Sequence, residues 1–140
     1  MGEIELRPAR IVEGELRHAV ALVDLMEELQ ETTRGCEEIR TEREIRTERY
    51  HLRRDGRLRP GRGRTPDGEL TLKNGQVVAI ELDLTPKRSK DFERILRDYR
   101  QERYDKIWWY VVPGAVPRVK KLVKDNRSED FIEVRAWKPR

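Results

Sequence analysis

The sequence predicts an α/β domain in which a central mixed β-sheet is flanked by helices. Three observations carry this. Two runs of alternating apolar residues within 65–87 flank Asn74-Gly75, the strongest short-range signal for a β-hairpin. Lys106 to Val112, KIWWYVV, is a nearly continuous apolar run stopped by Pro113-Gly114, the pattern of a central strand covered on both faces. Stretches of helical period lie before and between the strands, which is how helices come to cover the faces of a mixed sheet.

The chain of 140 residues is long enough for one core and too short for two. Charged residues make up 41% and apolar residues 36%, a balance that signals disorder only when the apolar residues are scattered. Here they are periodic, so a folded domain with a heavily charged exterior is expected. The net charge of +4 is compatible with nucleic acid as a partner. A single cysteine, Cys36, excludes an internal disulfide framework and points to a reducing compartment. With no stretch approaching a transmembrane helix and no secretory h-region, a cytoplasmic protein without a membrane partner is expected.

Taken in order, residues 1–13 read as a short extended lead-in. From about Glu15 to Thr33, Ala19, Leu22, Val23, Met26 and Leu29 define a helix that Gly35 ends. His18, near its start, is expected on the helix surface or in packing. Then comes a tandem hexapeptide, EIRTER at 38–43 and again at 44–49. Two copies are too few for a repeat architecture, so a charged surface helix or strand anchored by Ile39 and Ile45 is expected. A sharper alternative sends Glu42 or Glu48 back toward the hairpin. Residues 53–64, RRDGRLRPGRGR, have no apolar face and read as a loop. Its arginines Arg53, Arg54, Arg57, Arg59, Arg62 and Arg64 either neutralise nucleic-acid phosphates or are simply solvated.

After the hairpin, Phe92, Ile95, Leu96 and Tyr99 mark a helix from about Ser89 to Arg103, with Ser89 as its N-cap. Trp108 and Trp109 are expected to face opposite sides of the strand that follows. Val116, Val119, Leu122 and Val123 mark another helix, and Phe131 to Trp137 alternate as a closing strand.

The register of the hairpin decides whether its acids meet, because a one-residue slip turns every side chain to the other face. A two-residue turn puts Lys73 opposite Gln76 and parts Asp67 from Glu81. A three-residue loop with Gly75 in a left-handed position puts Leu72 opposite Gln76 and Asp67 opposite Glu81. The second register also sorts residues by character: Gly68, Leu70, Leu72, Val78, Ile80, Leu82 and Leu84 share one face, and Asp67, Glu69, Glu81 and Asp83 share the other. It is the expected register. Converging carboxylates repel unless a positive charge lies between them, and oxygen-rich sites favour Mg²⁺ or Mn²⁺. Lys87, just beyond, is placed to orient a water or a phosphate. Acids that merely solubilise an edge hairpin are the bland alternative.

These residues resemble a known signature. Thr65-Pro66-Asp67-Gly68 followed by Val78-Ala79-Ile80-Glu81-Leu82-Asp83 is similar to that of the PD-(D/E)XK nuclease superfamily, in which Pro-Asp opens one strand and Glu-x-Lys lies on the next. From about Leu16 onward the chain also resembles the nuclease-like domain of replication-relaxation proteins of plasmids and mobile elements, through its first helix, the Thr-Glu-Arg segment, Pro-Asp-Gly, Glu-Leu-Asp-Leu-Thr-Pro-Lys and Tyr-Val-Val-Pro-Gly. The resemblance implies a restriction-endonuclease-like core and metal-dependent hydrolysis of DNA. It implies Asp67 and Glu81 as ligands for Mg²⁺ or Mn²⁺. It also implies a partner winged-helix domain that often lies upstream in such proteins, and it is compatible with a homodimer. Asp83 stands where the superfamily has lysine, so Asp83 becomes a further candidate ligand and Lys87 the candidate replacement. The other outcome of that departure is a DNA-binding or assembly module that keeps the fold without cleaving.

Overall fold

The computed structural model describes residues 13–57 and 64–139. Its elements are α1 (Glu13–Thr32), β1 (Cys36–Thr41), α2 (Glu42–Arg54), β2 (Gly68–Leu72), β3 (Val77–Asp83), α3 (Ser89–Tyr99), β4 (Lys106–Val111), a 3₁₀ turn at Pro113–Ala115, α4 (Val116–Asp125) and β5 (Ile132–Ala136). The strands form one sheet in the order β1-β2-β3-β4-β5. The first three strands pair antiparallel, and β3, β4 and β5 pair parallel. The fold is thus α/β with a mixed sheet flanked by helices. No helix among the described residues is long and apolar enough to cross a membrane.

The hairpin takes the three-residue loop. Gly68 lies across from Ile80 and Leu70 across from Val78. The Leu72 N–H donates to the Gln76 carbonyl at 2.9 Å and the Gly75 N–H to the Leu72 carbonyl at 2.9 Å. Gly75 sits at φ 86°, a conformation that disfavours any side chain. With this register, each strand sends alternate residues to two cores. Leu70, Val78, Ile80, Leu82, Trp108 and Tyr110 pack against Ala21, Leu25, Met26 and Leu29 of α1. Ala79, Ile107, Trp109 and Val111 pack against Phe92, Ile95, Leu96 and Tyr99 of α3 and Val119 and Val123 of α4. Trp108 and Trp109 therefore do face opposite sides, and both are buried. A fully buried aliphatic such as Leu25 contributes roughly 1.5–3 kcal/mol.

Several expectations are corrected. The hexapeptide repeat supplies two elements: residues 38–41 of its first copy lie in β1, and the second copy lies wholly in α2. Pairing with β2 extends the first copy, since Ile39 lies across from Leu70 and Arg40 across from Glu69. Thr41 then caps α2 in a capping box with Glu44. Glu42 pairs with Arg46 and Glu48 with Arg40, so neither turns toward Asp67 or Glu81. Arg53 and Arg54, expected in a loop, form the last turn of α2, where cations suit the helix dipole.

The first helix buries Met26 and Leu29 as expected, with Leu22 packed beside them, but the stripe is rotated at Ala19 and Val23. Ala21 and Leu25 are buried, whereas Val23 is 57% exposed. Glu13, expected in the lead-in, begins α1, and the rest of that segment, residues 1–12, lies outside the described residues. The third helix ends at Tyr99 rather than Arg103, and Arg88, not Ser89, is its N-cap. The backbone turns there without a side-chain hydrogen bond, so Ser89 is the first helical residue.

Candidate active site

Asp67 lies one residue before β2, while Glu81 and Asp83 lie toward the carboxyl end of β3. The crevice beyond the carboxyl ends of parallel strands is where α/β sheets hold ligands. Here a cleft of about 720 Å³ opens there, lined by Asp67, Glu81, Asp83 and Lys87 together with Arg64 and His18. The hairpin register carries this convergence. The Asp67 carboxylate accepts the Leu82 backbone N–H at 2.8 Å, which ties the start of β2 to the end of β3.

Each acid has its own cation. Arg64 grips Glu81 with Nε at 2.8 Å from Oε1 and Nη2 at 3.3 Å from Oε2. His18 Nε2 lies 3.6 Å from Asp67 Oδ2, and its ring is hydrogen-bonded to the Leu82 carbonyl oxygen at 2.9 Å. Lys87 Nζ lies 3.9 Å from Asp83 Oδ1. The chain past β3 thus turns Lys87 back to the acids. Three protein cations stand among the three carboxylates and offset part of their mutual repulsion.

The groups titrate accordingly. Burial, with the charge of Asp67 beside it, pushes Glu81 up to about 7 against the pull of Arg64 and Tyr99. The Tyr99 phenol donates to Glu81 Oε1, and burial raises its pKa well above the ordinary value, so it stays a donor. Asp67 pushes His18 up to about 9 against the opposing effect of partial burial, so at neutral pH the ring carries its proton. Burial raises Asp83, while Lys87 and the Thr85 backbone pull it down. The Trp109 indole lies close enough to Asp83 to favour its charged form. It does not reach hydrogen-bond geometry, and its buried Nε1 has no partner among the described residues.

A second layer holds Arg64. Arg49 donates from Nη1 to the Arg64 carbonyl at 3.1 Å, and from Nη2 to Glu102 Oε2 at 3.2 Å and the Tyr104 hydroxyl at 3.1 Å. The Tyr104 hydroxyl in turn donates to Glu69 at 2.8 Å, and Glu69 accepts from Arg40 at 3.4 Å. Glu69, expected among the cleft acids, belongs to this network instead.

Of the predicted site residues, Asp67, Glu81, Asp83, Lys87 and Arg64 meet in one cleft. Arg53, Arg54 and Arg57 are exposed at and just beyond the end of α2 and do not line it. Arg59 and Arg62 lie outside the described residues. His18 and Tyr99 are site residues that the sequence reading assigned to surface or packing. His18 was within reach: it precedes Ala21, Leu25 and Leu29 at helical spacing, so it continues the buried stripe.

The donor set is all oxygen, and hard divalent ions such as Mg²⁺ or Mn²⁺ take such ligands. Among the described residues no three His, Cys, Asp or Glu side chains are arranged around one point as ligands. Both oxygens of Glu81 are engaged by Arg64, and Asp67 and Asp83 face their own cations. The all-oxygen donor set suits such an ion by chemistry and the three carboxylates line one cleft, with their oxygens facing protein cations in this structure. Comparison with protein-family models, with curated proteins and with solved structures finds no match to this chain.

Proposed function

We propose that this protein is a metal-dependent nuclease-like domain that hydrolyses phosphodiester bonds in DNA, on a restriction-endonuclease-like core. The observation that carries the reading is the hairpin register, which brings Asp67, Glu81 and Asp83 to one cleft with Lys87. Asp67, Glu81 and Asp83 would hold Mg²⁺ or Mn²⁺, which when bound supplies Lewis-acid stabilisation of the charge that grows on a phosphoryl oxygen. The chain's own groups do the rest. Lys87, with a half-buried side chain, orients the attacking water or the scissile phosphate and replaces the lysine that Asp83 displaces. His18, protonated at the rim, attracts the phosphate backbone and holds Asp67 in register. Arg64 adds a planar fork suited to phosphate.

Cleavage of duplex DNA by the purified chain should require Mg²⁺ or Mn²⁺, and Asp67→Ala or Glu81→Ala should abolish it. Cleavage that survives both substitutions sinks the assignment. The grip of Arg64 on Glu81 favours a second reading, a DNA-binding or assembly module that keeps this architecture without cutting. That reading expects salt-sensitive DNA binding with no cleavage in any divalent metal, and a smaller salt slope when Arg53, Arg54 and Arg57 are replaced.

A further inference from the structure

The ion pair between Arg64 and Glu81 serves two incompatible demands. Glu81 is 2% exposed, and a guanidinium fork occupies both of its oxygens. Arg64 is less confined: its side chain is 28% exposed and lines the open cleft beside Lys87 and His18. A guanidinium binds a phosphate with the same two parallel N–H donors it gives a carboxylate. It cannot serve both at once. An unpaired, ionised Glu81 would be a buried charge without compensation, so Arg64 leaves only as another cation or a proton takes its place.

We propose that Arg64 is an exchangeable latch: it neutralises Glu81 in the free protein and transfers to a nucleic-acid phosphate when a divalent ion takes its place, so that metal and nucleic acid bind cooperatively. This rests on the nuclease-like reading and adds its regulation. Neither ligand alone gains the full benefit. The ion must displace a bidentate pair, and a phosphate must draw Arg64 from a buried carboxylate. When both are present, each charge keeps a partner. The coupling is reciprocal, as binding linkage requires. Arg49 supports the exchange because it holds the Arg64 backbone carbonyl at 3.1 Å, fixing the base of the side chain while its fork turns. The device keeps the acids from recruiting metal when no substrate lies in the cleft.

The test uses the full chain, Mn²⁺ followed by electron paramagnetic resonance, and a fluorescent DNA duplex in Ca²⁺ or in metal-free buffer at fixed ionic strength. For Arg64→Gln, which retains one amide donor for Glu81, Mn²⁺ should bind the DNA-free protein about tenfold more tightly, within the range of ordinary coupling energies. The same variant should lose the Ca²⁺-dependent gain in duplex affinity. The mirror variant Glu81→Gln should bind the duplex more tightly than wild type without metal, because Arg64 is released from its carboxylate. Unchanged Mn²⁺ affinity in folded Arg64→Gln, or unchanged metal-free duplex affinity in folded Glu81→Gln, overturns the latch. These readouts do not depend on cleavage. A wild type that cuts DNA while Arg64→Gln keeps its Mn²⁺ affinity refutes the latch alone, and coupling without cutting refutes the nuclease reading alone.

Discussion

A protonated imidazole beside Asp67 ties the stability of the cleft to pH. His18 has its pKa raised from 6.5 to about 9 in the folded protein. Between those values the folded state binds a proton that the unfolded state has lost, so stability falls as pH rises. The contribution is fully present below about pH 6.5 and gone above about pH 9. Urea midpoints for wild type should therefore decline across that window, and His18→Gln should flatten the decline. An equal slope in both proteins would remove His18 from the Asp67 pair. Glu81 acts in a lower window with the same sign, because its pKa rises from 4.5 to about 7 on folding. Between those values, stability also falls as pH rises, and Glu81→Gln should remove that slope. The sequence made Asp67 and Glu81 legible because Pro-Asp-Gly and an alternating strand place them by local rules. Helical spacing marks His18 as part of the buried stripe, but its partner Asp67 lies 49 residues on and that of Tyr99 lies 18 residues back, so only the sheet shows what each one meets.

At the scale of elements, the twin hexapeptides separate local signals from context. Both copies read EIRTER, yet one threonine ends a strand and caps a helix, while the other lies inside that helix. The difference is local. Thr41 has Glu44 three residues on, completing the capping box, whereas Thr47 has Tyr50 there. Thr47 instead donates its hydroxyl to the Arg43 carbonyl at 2.9 Å. Thr41→Ala should thus cost about 0.5–2 kcal/mol, and Thr47→Ala should be neutral or slightly stabilising, since alanine is the better helix former. Denaturant unfolding of both variants checks this, and equal losses would contradict the cap. The strand half of the first copy was harder to read. Of its residues only Ile39 anchors a face, and its extension depends on pairing with β2, some thirty residues later. By contrast, Asn74-Gly75 and the KIWWYVV run announce their strands from within.

For the whole molecule, the mixed sheet explains why the cleft lies where it does. The antiparallel strand β2 begins where the parallel strand β3 ends, so Asp67 and the β3 acids share one edge of the molecule. Strands β2 to β5 and the helices α3 and α4 followed from local signals and periodicity, whereas β1 did not. Lys87 was legible from its place just past the acids, whereas the pairing of Arg64 with Glu81 and of His18 with Asp67 was not, because such pairing depends on which residues a fold brings into reach. The proposed metal-dependent reaction thus lies at the carboxyl end of β3, the middle strand of the sheet. The most direct measurement is conversion of supercoiled DNA to nicked and linear forms as Mg²⁺ or Mn²⁺ is titrated, with wild type, Lys87→Met and Glu81→Gln side by side. Wild type should show metal-dependent cleavage, Lys87→Met should lose at least about 10²-fold in rate, and Glu81→Gln should show no detectable cleavage. Cleavage by Glu81→Gln at the wild-type rate, or a folded wild type inert in both metals, would contradict the nuclease reading.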